Sequence, residues 1–467
     1  MRKLRLVVPV VVVLLLALTA ASAKAVARMP VGFFDDPSFR WATEPTINLA
    51  SAQKANGSII HVLANWSTIA PTKPVHPLNG SDPAYHLSDI DALARSAQKY
   101  GSEVLLTIYG TPKWANGGKT ANYAPTNMST LTQFSQMLAS RYNGTNPGYG
   151  VVTRFSVWNE PNLGGFLMPQ FSGSKIVSPG IYVKLYMAAY KGIKAGNKTA
   201  LVAAGETSNR GLNHHMAGQT DTTAPATFAH LVSVAAPKLP FDAWATHPYP
   251  SVGALGPAQK VAYPNVAFST MNRFGADLEK WFHRRVPIWV TEYGEQTKPQ
   301  QSAGGVSYAK QAVDVKKALQ LAAASPYVEM FVWFIFRDST SQTWFSGIET
   351  KTGTKKPAYT AFAATAKGIV GHDEFVTAGK KISVKVAVPI MTYYNAIGAK
   401  VGMTYYLYDG KKLVSIGQPL VAIQKGGMIT VPVNYKAAKG TTYTLALNIN
   451  DKHGYKEKTD VLLLPSS

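Results

Sequence analysis

Thr153-Arg154-Phe155-Ser156-Val157-Trp158-Asn159-Glu160-Pro161-Asn162 begins as a strand-like run and breaks into a polar loop at its end. The same kind of run recurs at Val31–Phe34, Ser58–Ala64, Glu103–Tyr109, Leu201–Gly205, Ala243–His247, Ile288–Thr291 and Met330–Phe334, which makes eight with the first. Between them lie helix-patterned stretches, among them Leu87–Tyr100, Leu131–Tyr142, Ile181–Ala195, Phe268–Arg285 and Tyr308–Ala324. Strands alternating with helices of ten or more residues predict βα units on a parallel sheet, and eight of them predict an α/β fold, a (β/α)8 TIM barrel over residues 24–370. The pattern changes at 371–467. Ile382, Val384, Val386 and Val388 alternate with other residues, and Thr404–Tyr408, Asp409-Gly410 and Lys411–Ile416 read as a hairpin. Met428–Val433, Tyr443–Ile449 and Val461–Leu464 add further strands without a helix, so this part is expected to be a small all-β sandwich.

In a barrel of this kind the residue that ends a strand faces the mouth where chemistry is done. Glu160 ends the fourth strand, and Glu292, in Ile288-Trp289-Val290-Thr291-Glu292-Tyr293-Gly294, ends the seventh. Two carboxyl groups facing each other across one mouth are the requirement for glycoside hydrolysis. One protonates the leaving oxygen, and the other attacks the anomeric carbon or activates water. The acid member also needs a raised pKa.

The motif Trp158-Asn159-Glu160-Pro161-Asn162, together with Thr291-Glu292-Tyr293-Gly294, resembles the retaining glycoside hydrolases of clan A, in the branch around families 39 and 5. The resemblance spans about Val31–Val370 and leaves out the C-terminal strands. It implies Glu160 as acid/base, Glu292 as nucleophile and Asn159 on the sugar 2-hydroxyl. His247-Pro248-Tyr249 is similar to the family's His-x-Tyr, whose tyrosine contacts the nucleophile, and Trp333 to its aromatic floor under the reacting sugar. The clan's strand-two arginine is replaced here by His61, and Thr111-Pro112-Lys113-Trp114 looks more like family 39 than family 5. Trp66, Tyr109, Trp114, Phe166, Tyr293 and Trp344 are further candidates for stacking on sugar faces, and Glu206, after the fifth strand, for a sugar hydroxyl or a loop-structural role. Asp35 has the same standing, and Glu295 reads as loop support.

Of 467 residues, none is cysteine, which excludes disulfides, thiolate metal sites and a cysteine nucleophile. His214-His215 lacks accompanying acids, so no metal and no cofactor is expected. Met1-Arg2-Lys3-Leu4-Arg5, the apolar Leu6–Thr19 and Ala21-Ser22-Ala23 read as a signal peptide over residues 1–23, against the alternative of an uncleaved anchor. No later segment has the length of a membrane span. The net charge of +22 falls to +19 without the leader, of which the C-terminal 371–467 carries +6. On an exported chain that surplus suits an acidic glycan or an anionic cell envelope rather than nucleic acid. The expectation is a secreted, retaining glycosidase acting on oligo- or polysaccharides. A non-catalytic polysaccharide-binding protein on the same scaffold is the alternative.

Overall fold

The computed structural model describes residues 29–100, 102–250, 255–298, 304–340, 344–367, 369, 372–387, 398–424, 428–450 and 456–465. The leader expected over 1–23 and Val388 of the alternating run lie outside them. Eight parallel strands close a barrel: β1 (Val31–Phe34), β2 (Ile59–Asn65), β3 (Glu103–Tyr109), β4 (Arg154–Val157), β5 (Leu201–Thr207), β6 (Ala243–Thr246), β7 (Ile288–Tyr293) and β8 (Val328–Phe334). Each pairs with its sequence neighbours, and β1 closes on β8 with Val31 opposite Phe331. The helices that follow them are α1 (Pro45–Lys54), α2 (Ser88–Lys99), α3 (Met128–Arg141), α4 (Ser178–Gly196), α5 (Pro225–Ala235), α6 (Met271–Phe282), α7 (Tyr308–Ala324) and α8 (Pro357–Ala366). The expected fold and all eight strands are present, with ends displaced by up to two residues. No helix among the described residues is long and apolar enough to cross a membrane.

Strand alternation sorts the barrel side chains into two sets. Ile59, Leu105, Ala203, Ala245, Met330 and Val332 pack together inside the barrel. Ile60, Leu106, Ala204, Trp244, Phe331 and Trp333 belong to the larger cluster shared with the helices. Three register shifts interrupt this alternation, one at the start of β8 between Val328 and Met330 and two near the mouth. Between β5 and β6 the register runs from Ala204–Trp244 to Thr207–Thr246, one extra residue on β5. Between β7 and β8 it runs from Val290–Phe331 to Tyr293–Trp333, one extra residue on β7. Such bulges re-aim the side chains that follow them.

The C-terminal strands are β9 (His372–Val376), β10 (Lys381–Ala387), β11 (Lys400–Asp409), β12 (Lys412–Gly417), β13 (Leu420–Ala422), β14 (Met428–Lys436), β15 (Tyr443–Asn450) and β16 (Lys456–Pro465). β10 pairs with β14, and the other six form a second sheet. Val384 and Val431 from the first share one apolar cluster with Leu407 and Leu445 from the second. The expected hairpin is present, but its two-residue turn is Gly410-Lys411, since Asp409 pairs with Lys412. Gly410 has φ +57°, as the first central position of such a turn demands of glycine.

Candidate active site

Glu160 and Glu292 stand together at the barrel mouth. The donor atoms of Glu160, His247 and Glu292 all lie within 4.8 Å of one another. β4 delivers Glu160 through a backbone in the left-handed region, with Trp158 at φ 72° and Glu160 at φ 41°. Glu206, on the bulge of β5, has φ 48°. Such conformations cost on the order of 1–3 kcal/mol each and persist only where the surroundings fix them. Here the Trp158 amide donates to the Ile108 carbonyl (2.7 Å), and the Glu160 amide to that of Glu206 (2.9 Å). The Trp158 ring is fully buried with its indole N–H on the Phe166 carbonyl (2.7 Å), which anchors the loop that carries Glu160.

His247 joins three carboxyl groups. Its Nδ1 is 3.0 Å from Glu160 Oε1, its Nε2 is 2.8 Å from Glu206 Oε2, and Nδ1 is 3.6 Å from Glu292 Oε2. Both ring nitrogens face carboxylate oxygens, which accept and cannot donate, so both carry protons and the ring is an imidazolium. Burial alone would lower its pKa, but the charges of Glu292 and Glu160 and the hydrogen bonds to Glu160 and Glu206 hold it well above the usual histidine range. Glu206 is buried without exposure. Burial would raise its pKa, yet the hydrogen bond and charge of His247 hold it below the ordinary value. The bulge on β5 is what turns Glu206 into the barrel. Plain alternation from Ala203 inside and Ala204 outside would send it toward the helices. The bulge on β7 likewise lets Thr291 donate inward to Glu206 Oε2 (2.6 Å) while Glu292, the next residue, reaches the mouth.

Below this layer His61 is fully buried inside the barrel. Its Nδ1–H donates to the Thr291 carbonyl (2.9 Å), and its Nε2 accepts from the Thr107 hydroxyl (2.6 Å). Burial lowers its pKa to about 4, so it is neutral and braces β2 against β3 and β7.

Glu292 is 8% exposed and accepts from the Tyr249 hydroxyl (3.0 Å). Its pKa is pushed up to about 8, first by burial, then by the charges of Glu160 and Glu206, against the opposing effect of His247 and Tyr249. The sequence reading expects the raised value on the acid. The upward shift falls on the carboxyl read as the nucleophile, because Glu292 is buried and flanked by the other two glutamates.

Above the pair opens a cavity of about 630 Å³, within the range of small-molecule sites. Asn159 lines it, 6% exposed and with its Oδ1 unpartnered. The rings on its wall are Phe34, Phe166, Tyr249, Phe334 and Trp344.

Of the residues expected to touch a sugar, Asn159, Phe166, Tyr249 and Trp344 reach this cavity and the others do not. Trp333 is fully buried on the outer face of β8, edge-on to Tyr293 (5.8 Å), with its indole N–H on the Ser346 carbonyl (2.9 Å). Phe334, one residue later on the inner face, takes the wall position instead. Trp66 stacks on Phe134 at 5.4 Å in the core, and Trp114 packs edge-on against Trp66 with its N–H on the Ala70 carbonyl. His247, His61 and Glu206 are buried beneath the wall rather than in it. Asp35 accepts from Ser38 and from the amides of Phe336 and Arg337, tying the ends of β1 and β8. Glu295 accepts from the Tyr293 hydroxyl (2.8 Å), as a loop support does, and also lines the cavity. Phe34, Phe334 and Arg210 were not read as site residues. The first two are the inward positions at the ends of β1 and β8, a signal that alternation carries once the strand ends are known.

Among the described residues, Glu160, His247 and Glu292 are the one group arranged as metal ligands could be. His247 has both nitrogens committed to Glu160 and Glu206, so a cation there would first have to displace the imidazolium proton.

No protein-family model matches the chain, and no curated protein matches it in sequence. Solved structures share its fold. A family 39 glycoside hydrolase from the gut symbiont Bacteroides cellulosilyticus WH2 is 16% identical, with a TM-score of 0.53 over 86% of this chain and 79% of that one. A glucosidase from Croceicoccus marinus is 13% identical, with a TM-score of 0.54 over 89% and 95%. A GH5_18 protein from Streptomyces cattleya, crystallised with Manβ1-4GlcNAc, is 16% identical, with a TM-score of 0.53 over 79% and 87%. The chain thus resembles, in fold, glycoside hydrolases of the family 39 and family 5 branch to which its two glutamate motifs point.

Proposed function

We propose that the protein is a retaining glycoside hydrolase, with Glu160 as acid/base and Glu292 as nucleophile, acting outside the cell on oligo- or polysaccharides. The observation that carries this reading is the spacing of the pair. Carboxyl oxygens within 4.8 Å suit direct attack on the anomeric carbon. An inverting pair stands roughly 6.5–9.5 Å apart to hold a water, against roughly 5–5.5 Å for a retaining one.

The pair retains one proton. Burial and repulsion place it on Glu292. Attack requires it on Glu160. A glycosidic oxygen docked against Glu160 gives the proton an acceptor, while the Tyr249 O–H and the His247 charge favour a carboxylate at Glu292. Glu160 then protonates the leaving oxygen as Glu292 Oε bonds to the anomeric carbon. In the second half Glu160 takes a proton from water, whose oxygen displaces Glu292. Export rests on the sequence of residues 1–23.

A 2-deoxy-2-fluoro glycoside with a good leaving group tests the assignment. It is expected to add one fluoroglycosyl mass to the peptide carrying Glu292. Glu160→Ala should then slow substrates with poor leaving groups by roughly 10²–10⁴-fold, with much smaller losses for activated aryl glycosides. Labelling of Glu160, or of no residue, would refute the roles.

Tyr249 gives a second expected result. Its hydrogen bond lowers the Glu292 pKa, so Tyr249→Phe should raise the apparent value of the pair above about 8. The alkaline limb of kcat/KM should move upward while kcat drops by about 10-fold or more. An unmoved limb would mean that the hydroxyl does not act on the pair.

A further inference from the structure

Arg210 lines the cavity into which Glu160 and Glu292 open, and it is exposed there. The carboxyl side chains on that wall are Glu160, Glu292 and Glu295, and Arg210 is its one basic side chain among the described residues. Four other barrel arginines are spent on carboxylates. Arg40, Arg141, Arg154 and Arg337 pair with Asp36, Asp91, Glu103 and Glu349 at 2.5–2.8 Å. The Arg210 guanidinium has no such partner among the described residues.

Its position is nonetheless built. Asn162, the last residue of the Asn-Glu-Pro-Asn motif, is fully buried. Its Nδ2 donates to the carbonyls of Arg210 (3.2 Å) and Thr223 (2.9 Å), and its Oδ1 accepts from the Ser208 amide (2.8 Å). The Gly211 amide donates to Asn265 Oδ1 (3.1 Å). The motif that supplies the acid therefore also fixes the backbone that carries the cation, two residues from Glu160 on one side and at Arg210 on the other.

We propose that Arg210 is a specificity residue that takes the carboxylate of a uronic-acid unit, so that the substrate is an acidic polysaccharide. This rests on the glycosidase reading. Arg210 is the one basic side chain among the described residues that line the cavity, and the planar guanidinium fork matches a carboxylate through two parallel hydrogen bonds. The chain's surplus of 47 basic over 25 acidic residues would draw such a polymer to the surface.

Binding to Glu292→Gln protein tests it without turnover. The probes are oligosaccharides of polygalacturonate, alginate and hyaluronan, each also in carboxyl-reduced, neutral form. The acidic member of at least one pair is expected to bind about 10-fold or more tighter than its reduced counterpart. Arg210→Gln should shrink that preference to within about threefold, and Arg210→Lys, which keeps charge but loses the fork, should leave an intermediate value. No preference for acid, or a preference unchanged in Arg210→Gln, would overturn the inference. If the fluoroglycoside still labels Glu292 in the wild-type chain, the glycosidase reading survives that result. No binding of any probe and no labelling would remove both.

Discussion

Replacing Glu292 with Gln is expected to lower kcat by roughly 10⁴-fold or more, as loss of a nucleophile does, and to leave glycan binding measurable. The same variant should be more stable than the wild type near neutral pH. The sign follows from linkage. Burial and the neighbouring glutamates raise the Glu292 pKa from 4.5 to about 8, so between those values the folded protein holds a proton that the unfolded chain has released. Wild-type stability therefore falls as pH rises through that window. Glutamine has no proton to lose and still offers Oε1 to the Tyr249 hydroxyl. The gap in unfolding free energy should be near zero at pH 4 and reach on the order of 1–3 kcal/mol at pH 7. Thermal unfolding of both proteins between pH 4 and pH 8 measures it. A pH-independent gap, or a variant less stable at pH 7, would mean that Glu292 is not held protonated by its surroundings. Retained turnover would remove it from the reaction altogether.

The two glutamates were legible because each stands in a local pattern that needs no tertiary information: an apolar strand-length run that breaks into a polar loop. The alternation of such runs with helices was enough for the barrel. His247 was legible for the same reason, since it follows Ala243 and Ala245 at a spacing of two and faces inward with them. Glu206 was named, but its partner was hidden. Strand periodicity sends it outward, and only the extra residue on β5 turns it onto His247. A bulge is a property of two paired strands and leaves little trace in either one. Trp333 was misplaced by a single position. A tryptophan at a strand end is chemically suited to a sugar face, but Phe334 has the inward parity and Trp333 the outward one. Arg210 was invisible because its importance depends on Asn162 and the β5 loop meeting in space.

His247→Gln should be the most damaging single change to stability at the site, costing about 3–5 kcal/mol, because it leaves Glu206 charged, fully buried and without its counterion. Two titrations set where that cost is greatest. The His247 pKa is raised above 6.5, so its contribution is complete below pH 6.5 and is lost as pH rises through the folded value. The Glu206 pKa is held below 4.5, so its contribution is complete above pH 4.5 and is lost as pH falls through the folded value. The wild-type advantage should therefore be widest between about pH 4.5 and 6.5 and narrow on either side. Adding Glu206→Gln removes the stranded charge, and the double variant should recover part of the loss, a non-additivity that a thermodynamic cycle reads directly. Activity should behave differently. Glu160 loses the N–H that orients it at 3.0 Å, and the pair loses the nearest positive charge opposing its proton uptake. The double variant should regain stability while kcat stays roughly 10²-fold down and the alkaline limb remains displaced upward. If activity returned together with stability, His247 would be a packing residue only. A cost that did not vary with pH would show that the ring is not charged in the folded protein. The imidazolium is what allows three glutamates to share one barrel mouth, and a neutral residue in its place forces the cluster to take up protons that the reaction needs elsewhere.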